Sequence, residues 1–146
     1  MRYSIIILTF ALTLVPELTM SQPSSDEMVS GCVLSAGENT IYLKDFRVQL
    51  PEASPNASAP VYKANMYLMK NMNYRFSLCN SADSKGELVI TIFDQGKELI
   101  STAKKSTGKE YHSVDFICNK TGLYTLWFSF EGGEQGLGVG VVSLVK

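Results

Sequence analysis

The strongest constraint on the fold is a two-residue alternation of apolar and polar side chains that returns in short runs along most of the chain, with no convincing helical period. Phe46, Val48 and Leu50 alternate with Asp45, Arg47 and Gln49, and Tyr62, Ala64, Met66 and Leu68 alternate with Lys63, Asn65 and Tyr67. Tyr74, Phe76 and Leu78 alternate with Arg75 and Ser77, and Val114, Phe116 and Cys118 repeat the pattern. Tyr124, Leu126, Phe128 and Phe130 take one face of the next run, with Trp127 on the other beside Thr125 and Ser129. Successive side chains of a strand point to opposite faces, so each run predicts a strand with one face buried. Leu88 to Phe93 is apolar on both parities and β-branched, which predicts a central strand covered on both sides. Glu98 to Ala103 and Val139 to Val145 complete the set.

The residues between the runs are turn formers. Asn71-Met72-Asn73 and Gly132-Gly133 predict hairpins, Asp94-Gln95-Gly96-Lys97 a tight turn, and Asn119-Lys120-Thr121-Gly122 another. Pro51, Pro55 and Pro60 bar a ladder from the segment they punctuate, which reads as an exposed loop. Seven to eight short strands predict an all-β chain, an antiparallel β-sandwich of jelly-roll type.

The N-terminus carries a different message. Arg2, the apolar run Ile5 to Val15, Pro16 and the small residues Thr19 and Ser21 read as a signal peptide over residues 1–21, cut between Ser21 and Gln22. The apolar run falls well short of the ~20 residues that cross a bilayer as a helix, and no second run follows, so the mature chain is expected to have no transmembrane segment. The expected location is secreted, periplasmic or extracellular. Residues 22–31, polar and Ser-rich, read as a flexible lead-in, and residues 32–146 as a single domain large enough to bury one core. Lys and Arg total 13 against 14 Asp and Glu, a net charge of -1. Such a balance gives no long-range field to gather nucleic acid or an anionic membrane.

Export favours one disulfide among Cys32, Cys79 and Cys118. Three pairings are open. Cys79 with Cys118 is the expected one, because each ends a strand pattern and precedes an asparagine. Parity speaks against it: Cys79 continues the polar set of Arg75 and Ser77, whereas Cys118 shares a face with Val114 and Phe116, so the pair needs a bulge or two sheets. Val29-Ser30-Gly31-Cys32 also fits the box at which envelope lipoproteins are cut and acylated. Asp26 and Glu27 lie between that box and the apolar run, which favours a semi-buried Cys32 opening the first strand.

Few residues suggest chemistry. His112 is the only histidine. No metal-ligand spacing surrounds it, and no nucleophile motif accompanies it and Asp115, so no catalytic residue and no enzyme activity is expected. Asp83, Glu87 and Asp94 flank the Leu88 to Phe93 run and form a candidate calcium set, the only cofactor suggested. The glycines at 132, 133, 136, 138 and 140 fail the G-x-G-x-x-G pattern and read as a hairpin running into a closely packed strand, packed under Trp127. Large aromatics in a small sandwich more often pack in the core, which is the position expected for Trp127, and the alternative is that Trp127 and Tyr67, with Tyr42 and Tyr62, line a sugar- or peptide-binding face. Asn56 and Asn119 head N-glycosylation sequons that matter if the source is eukaryotic.

From Leu68 onward, Asn73-Tyr74-Arg75-Phe76-Ser77-Leu78, the Leu88 to Gly96 strand ending in Asp-x-Gly, and Thr121-Gly122-Leu123-Tyr124 resemble the pre-peptidase C-terminal domain of secreted bacterial proteins, and more distantly the GOLD domain of Golgi cargo receptors. The resemblance implies a non-catalytic sandwich appended to, or cooperating with, exported proteins. The expectation is a binding module for a protein or glycan partner at the cell envelope or outside the cell. The alternatives are a small secreted hydrolase with two carboxylates converging in an apolar pocket, and an envelope lipoprotein acylated at Cys32.

Overall fold

The computed structural model describes residues 24–103 and 112–146. The signal peptide over 1–21, its cleavage point and the charged loop expected around Lys104 to Glu110 lie outside the described residues. The elements in order are α1 (Ser25–Ser35), β1 (Thr40–Leu50), β2 (Tyr62–Leu68), β3 (Asn73–Asn80), β4 (Leu88–Asp94), β5 (Lys97–Ser101), β6 (Ser113–Ile117), β7 (Gly122–Phe130) and β8 (Gly136–Val145), with a single 3-10 turn at Glu131–Gly133. The expected all-β sandwich is what forms. Two four-stranded antiparallel sheets stack on each other, sheet 1 in the order β1-β8-β3-β6 and sheet 2 in the order β2-β7-β4-β5. The pairings nest: β1 with β8, β2 with β7, β3 with β6 and β4 with β5.

The alternation sets which side chains meet between the sheets. Phe46 and Val48 of β1, Tyr74, Phe76 and Leu78 of β3, Leu88, Ile90 and Ile92 of β4, and Tyr124, Leu126, Phe128 and Phe130 of β7 are all buried in one core. β1 begins at Thr40, earlier than the alternation at Asp45 predicts, and its register shifts between Tyr42 and Lys44. Leu43 has no partner at that irregularity, and the successive apolar residues Ile41, Tyr42 and Leu43 hide the two-residue period from the sequence.

Among the described residues, only β4 and β5 are consecutive strands paired with each other. Gln95 and Gly96 between them both have positive φ (48° and 81°), the requirement of a two-residue turn whose twist suits the strands. The hairpins expected at Asn71-Met72-Asn73 and Gly132-Gly133 are instead crossovers between sheets, since β2 and β3, and β7 and β8, belong to different sheets. Turn residues reverse the chain whichever sheet receives the next strand, so the local signal is the same in both cases.

The glycines of β8 face the core. A Cβ at Gly140 would stand 2.5 Å from the Phe128 ring, one at Gly136 would enter the Phe130 ring, and one at Gly138 would stand 3.1 Å from Leu88. The close packing expected under Trp127 is therefore under Phe128, Phe130 and Leu88, because Trp127 lies on the opposite face of β7. The other parity of β8, Val139 and Val141, is buried outside sheet 1 against Met28, Val29 and Val33 of α1.

Within residues 24–31, the described part of the expected lead-in, the chain forms α1 rather than a flexible segment. Ser24 and Glu27 form a reciprocal capping box, with Glu27 N–H donating to Ser24 Oγ (3.3 Å) and Ser24 N–H to Glu27 Oε2 (2.9 Å). Asp26 and Glu27 sit in the first turn, where the helix dipole favours negative charge. Three ties hold α1 on sheet 1. Arg47 of β1 donates to Asp26 (2.6 Å) and Ser25 (2.7 Å) at its start, and Arg75 of β3 donates to the Ala36 carbonyl (2.9 Å) at its end. The third tie is a disulfide between Cys32 and Cys79, with Cα atoms 5.8 Å apart.

That bridge corrects the expected Cys79–Cys118 pair. Cys79 points outward from sheet 1 toward the helix, while Cys118 points into the core, where it is a buried free thiol. Parity had indicated the conflict, and the missing partner was a helix the alternation did not reveal. Cys32 sits in α1 rather than opening a strand, and its sulfur is joined to that of Cys79. Cys118 Sγ donates to Lys120 O (3.1 Å), with Tyr124 Oη 3.5 Å away. The Cys118 contact and burial push the Tyr124 hydroxyl pKa up to about 12.

Candidate functional site

The outer face of sheet 2 is built from the parities of its strands that do not enter the core. With Leu126 and Phe128 inward, Thr125, Trp127 and Ser129 of β7 face out. Register then fixes their neighbours. Lys63, Trp127 and Thr91 form one row across β2, β7 and β4, Asn65, Thr125 and Phe93 form the next, and Tyr67 stands opposite Leu123. Ser101 of β5 extends the first row beside Thr91.

The half-buried Trp127 ring packs at 4.7 Å between centroids against Phe93, and Lys63 Nζ lies 4.1 Å from the Trp127 ring centroid, a cation–π contact. Thr125 Oγ1 donates to Asn65 Oδ1 (3.1 Å), and the Thr91 and Ser101 hydroxyls share a hydrogen bond (3.0 Å). Tyr67 is 63% exposed at the margin of the face. The structure thus brings Trp127 and Tyr67 to the outer face of sheet 2, which corrects the core position expected for Trp127, and adds Phe93, Lys63 and Thr91. Those three were missed because their place beside Trp127 depends on which strands flank β7, a non-local fact. Tyr42 and Tyr62 do not join. Tyr42 is on sheet 1, where its hydroxyl donates to Asp45 (2.6 Å), a bond that raises its pKa. Tyr62, opposite Phe128, packs toward the core edge at 6.1 Å between ring centroids.

The arrangement offers partly exposed aromatic rings, with Trp127 and Phe93 tilted at 46° to each other and Lys63 over the Trp127 ring, interleaved with hydroxyl and amide groups. Aromatic faces accept the C–H face of a sugar ring or another apolar ring, and the hydroxyls and amide exchange hydrogen bonds with polar substituents.

The other candidates fall apart or stay solitary. Glu87 precedes β4 and Asp94 ends it, so they stand about 23 Å apart along a strand at ~3.3 Å per residue and do not share one ion. Glu87 accepts a hydrogen bond from the Asn80 amide. Glu87 instead lies near Glu131 and Glu134 around an open cleft of about 280 Å³ that also includes Lys85. That lining is charged rather than apolar. Among the described residues, no group of three or more His, Cys, Asp or Glu side chains is placed to hold a metal ion. His112 is exposed, and Asp115 is engaged by Arg75 through two hydrogen bonds of 2.7 Å, which lower its carboxyl pKa. Asn56, in a left-handed turn conformation (φ 64°), and Asn119 are both exposed.

Among the described residues no helix is long and apolar enough to cross a membrane. No protein-family model matches this chain, and no curated protein matches it.

Proposed function

We propose that this protein is a secreted, non-catalytic β-sandwich that binds glycan chains through the outer face of sheet 2. The observation that carries the reading is the convergence of Trp127, Phe93 and Tyr67 on one solvent face among Thr91, Thr125, Asn65 and Ser101. A protein partner is the broader alternative, but the mixture of ring faces with short hydroxyl and amide side chains suits a polyhydroxylated ligand best. Three further points support the reading. The N-terminal apolar run reads as an export signal, the Cys32–Cys79 disulfide suits an oxidising compartment, and the motif order resembles that of pre-peptidase C-terminal domains. The nested strand order is the one a jelly roll requires, so we infer that architecture as well.

The test is affinity electrophoresis through gels containing neutral and acidic polysaccharides, with pull-down on insoluble ones. At least one should retain the protein, and Trp127→Ala should weaken that retention about tenfold, the scale of one lost aromatic contact. Tyr67→Ala should weaken it less, being at the margin. Retention by none of the panel, or equal retention of both variants with unchanged circular dichroism, overturns the reading.

A further inference from the structure

Strand register brings two crossovers together at one end of the sandwich. Leu68 pairs with Gly122 and Asn73 with Ile117, so residues 69–72 after β2 lie against residues 118–121 after β6. They are tied by Asn71 N–H to Cys118 O (2.8 Å), Cys118 N–H to Met72 O (3.0 Å) and Lys70 N–H to Thr121 Oγ1 (2.8 Å). Beneath the tie, Tyr124 Oη donates to Lys120 O (2.6 Å) and Tyr74 Oη accepts from Met69 N–H (2.9 Å). The tip is thus pinned to the core from below.

Exposed apolar side chains surround this tie. Tyr67 (63%) and Leu123 (60%) stand on its sheet 2 shoulder, Ile117 (63%) on its sheet 1 shoulder, and Met69 (56%) on the crest. Apart from Leu34, these are the most exposed large hydrophobic side chains among the described residues. Lys70 and Lys120, both exposed, are the only charged residues of the two crossovers. The neighbouring β4–β5 turn pairs Asp94 with Lys97, with Glu98 next along β5, and Asp115 is engaged by Arg75.

Aliphatic side chains projecting from a loop end on two shoulders, with ammonium groups between them, match the chemistry of a bilayer interface. Acyl chains cover Met, Leu and Ile, a tyrosine ring sits at headgroup depth, and lysines meet lipid phosphates. We propose that this tip inserts shallowly into an anionic lipid surface. The attraction is local to Lys70 and Lys120 and does not need a net positive chain. The tip is a separate surface from the Trp127 platform, touching it only at the Tyr67–Leu123 row, so the two activities can be separated.

The experiment is cosedimentation of the processed protein, recovered from a secreting host, with vesicles of phosphatidylcholine alone or mixed with phosphatidylglycerol. Partitioning should be stronger on the mixed vesicles and fall with added salt. Lys70→Gln and Lys120→Gln should each weaken it about fivefold, and the Met69→Asp, Ile117→Asp pair at least tenfold. None of these positions lies on the Trp127 face, so polysaccharide retention should be unchanged. Circular dichroism checks folding, and if the apolar pair unfolds the chain, the lysine variants decide alone. No partitioning, equal partitioning on both vesicle types, or partitioning indifferent to the lysine variants overturns the proposal.

Discussion

Gly140 controls how closely the two sheets approach, because its missing side chain is the space that the fully buried Phe128 ring occupies. A methyl group there cannot be accommodated by swinging a side chain into solvent. Gly140→Ala should therefore destabilise the fold by about 1–3 kcal/mol, read as a lower urea midpoint with unchanged slope. A loss below about 0.5 kcal/mol would mean the sheets are not in contact at that point. Asp115 gives a pH-dependent signal of the opposite kind, small and electrostatic. Its folded pKa is held below the ordinary carboxylate value chiefly by the hydrogen bonds from Arg75. It therefore contributes stability above about pH 4, the unfolded value, and loses that contribution as pH falls through the depressed folded value. The pair is partly exposed, so solvent screening limits the effect. Asp115→Asn should cost on the order of 0.5 kcal/mol at pH 7, and the difference from wild type should shrink on acidification toward pH 2. A difference that persists there would assign the effect to packing.

At the scale of elements, α1 is an accessory layer. The core between the sheets contains neither Cys32 nor Cys79, which belong to the α1 side of sheet 1. A Cys32→Ser, Cys79→Ser double variant should keep a β-sandwich circular dichroism spectrum while losing about 2–4 kcal/mol of stability. A variant unfolded at room temperature would make the helix and its bridge part of the folding nucleus. Peptide mapping of the native chain should find Cys32 linked to Cys79, with Cys118 reacting only after unfolding. This helix was the least legible element. Ser24 and Glu27 carry its capping box, but the apolar stripe of Met28, Val29, Cys32 and Val33 is short and the exposed Leu34 falls on the opposite face, so the period stays faint. The strands were legible because each buries one face, and β7 shows this with its alternating burial along Tyr124, Leu126, Phe128 and Phe130. Where the strands go was not legible. Asn71 and Gly132 take left-handed conformations at sheet crossings, as Gln95 and Gly96 do at a hairpin, and local chemistry does not separate the two outcomes.

For the molecule as a whole, the candidate face could be read only in part from the sequence. Parity placed Trp127 away from the core and Tyr67 opposite the inward set of β2, but their union with Phe93 and Lys63 required β7 to lie between β2 and β4. The same non-local pairing gathers Met69, Ile117 and Leu123 at one end although they are widely separated along the chain. Nesting has a further consequence in time. β8, the last strand, is an interior strand of sheet 1, flanked by β1 and β3, and its glycines close the core against Phe128 and Phe130. A ribosome must therefore deliver nearly the whole chain before sheet 1 can assemble. Until β8 is made, β1 and β3 have no strand between them, and the Phe128 and Phe130 rings have no glycine-lined surface to close against.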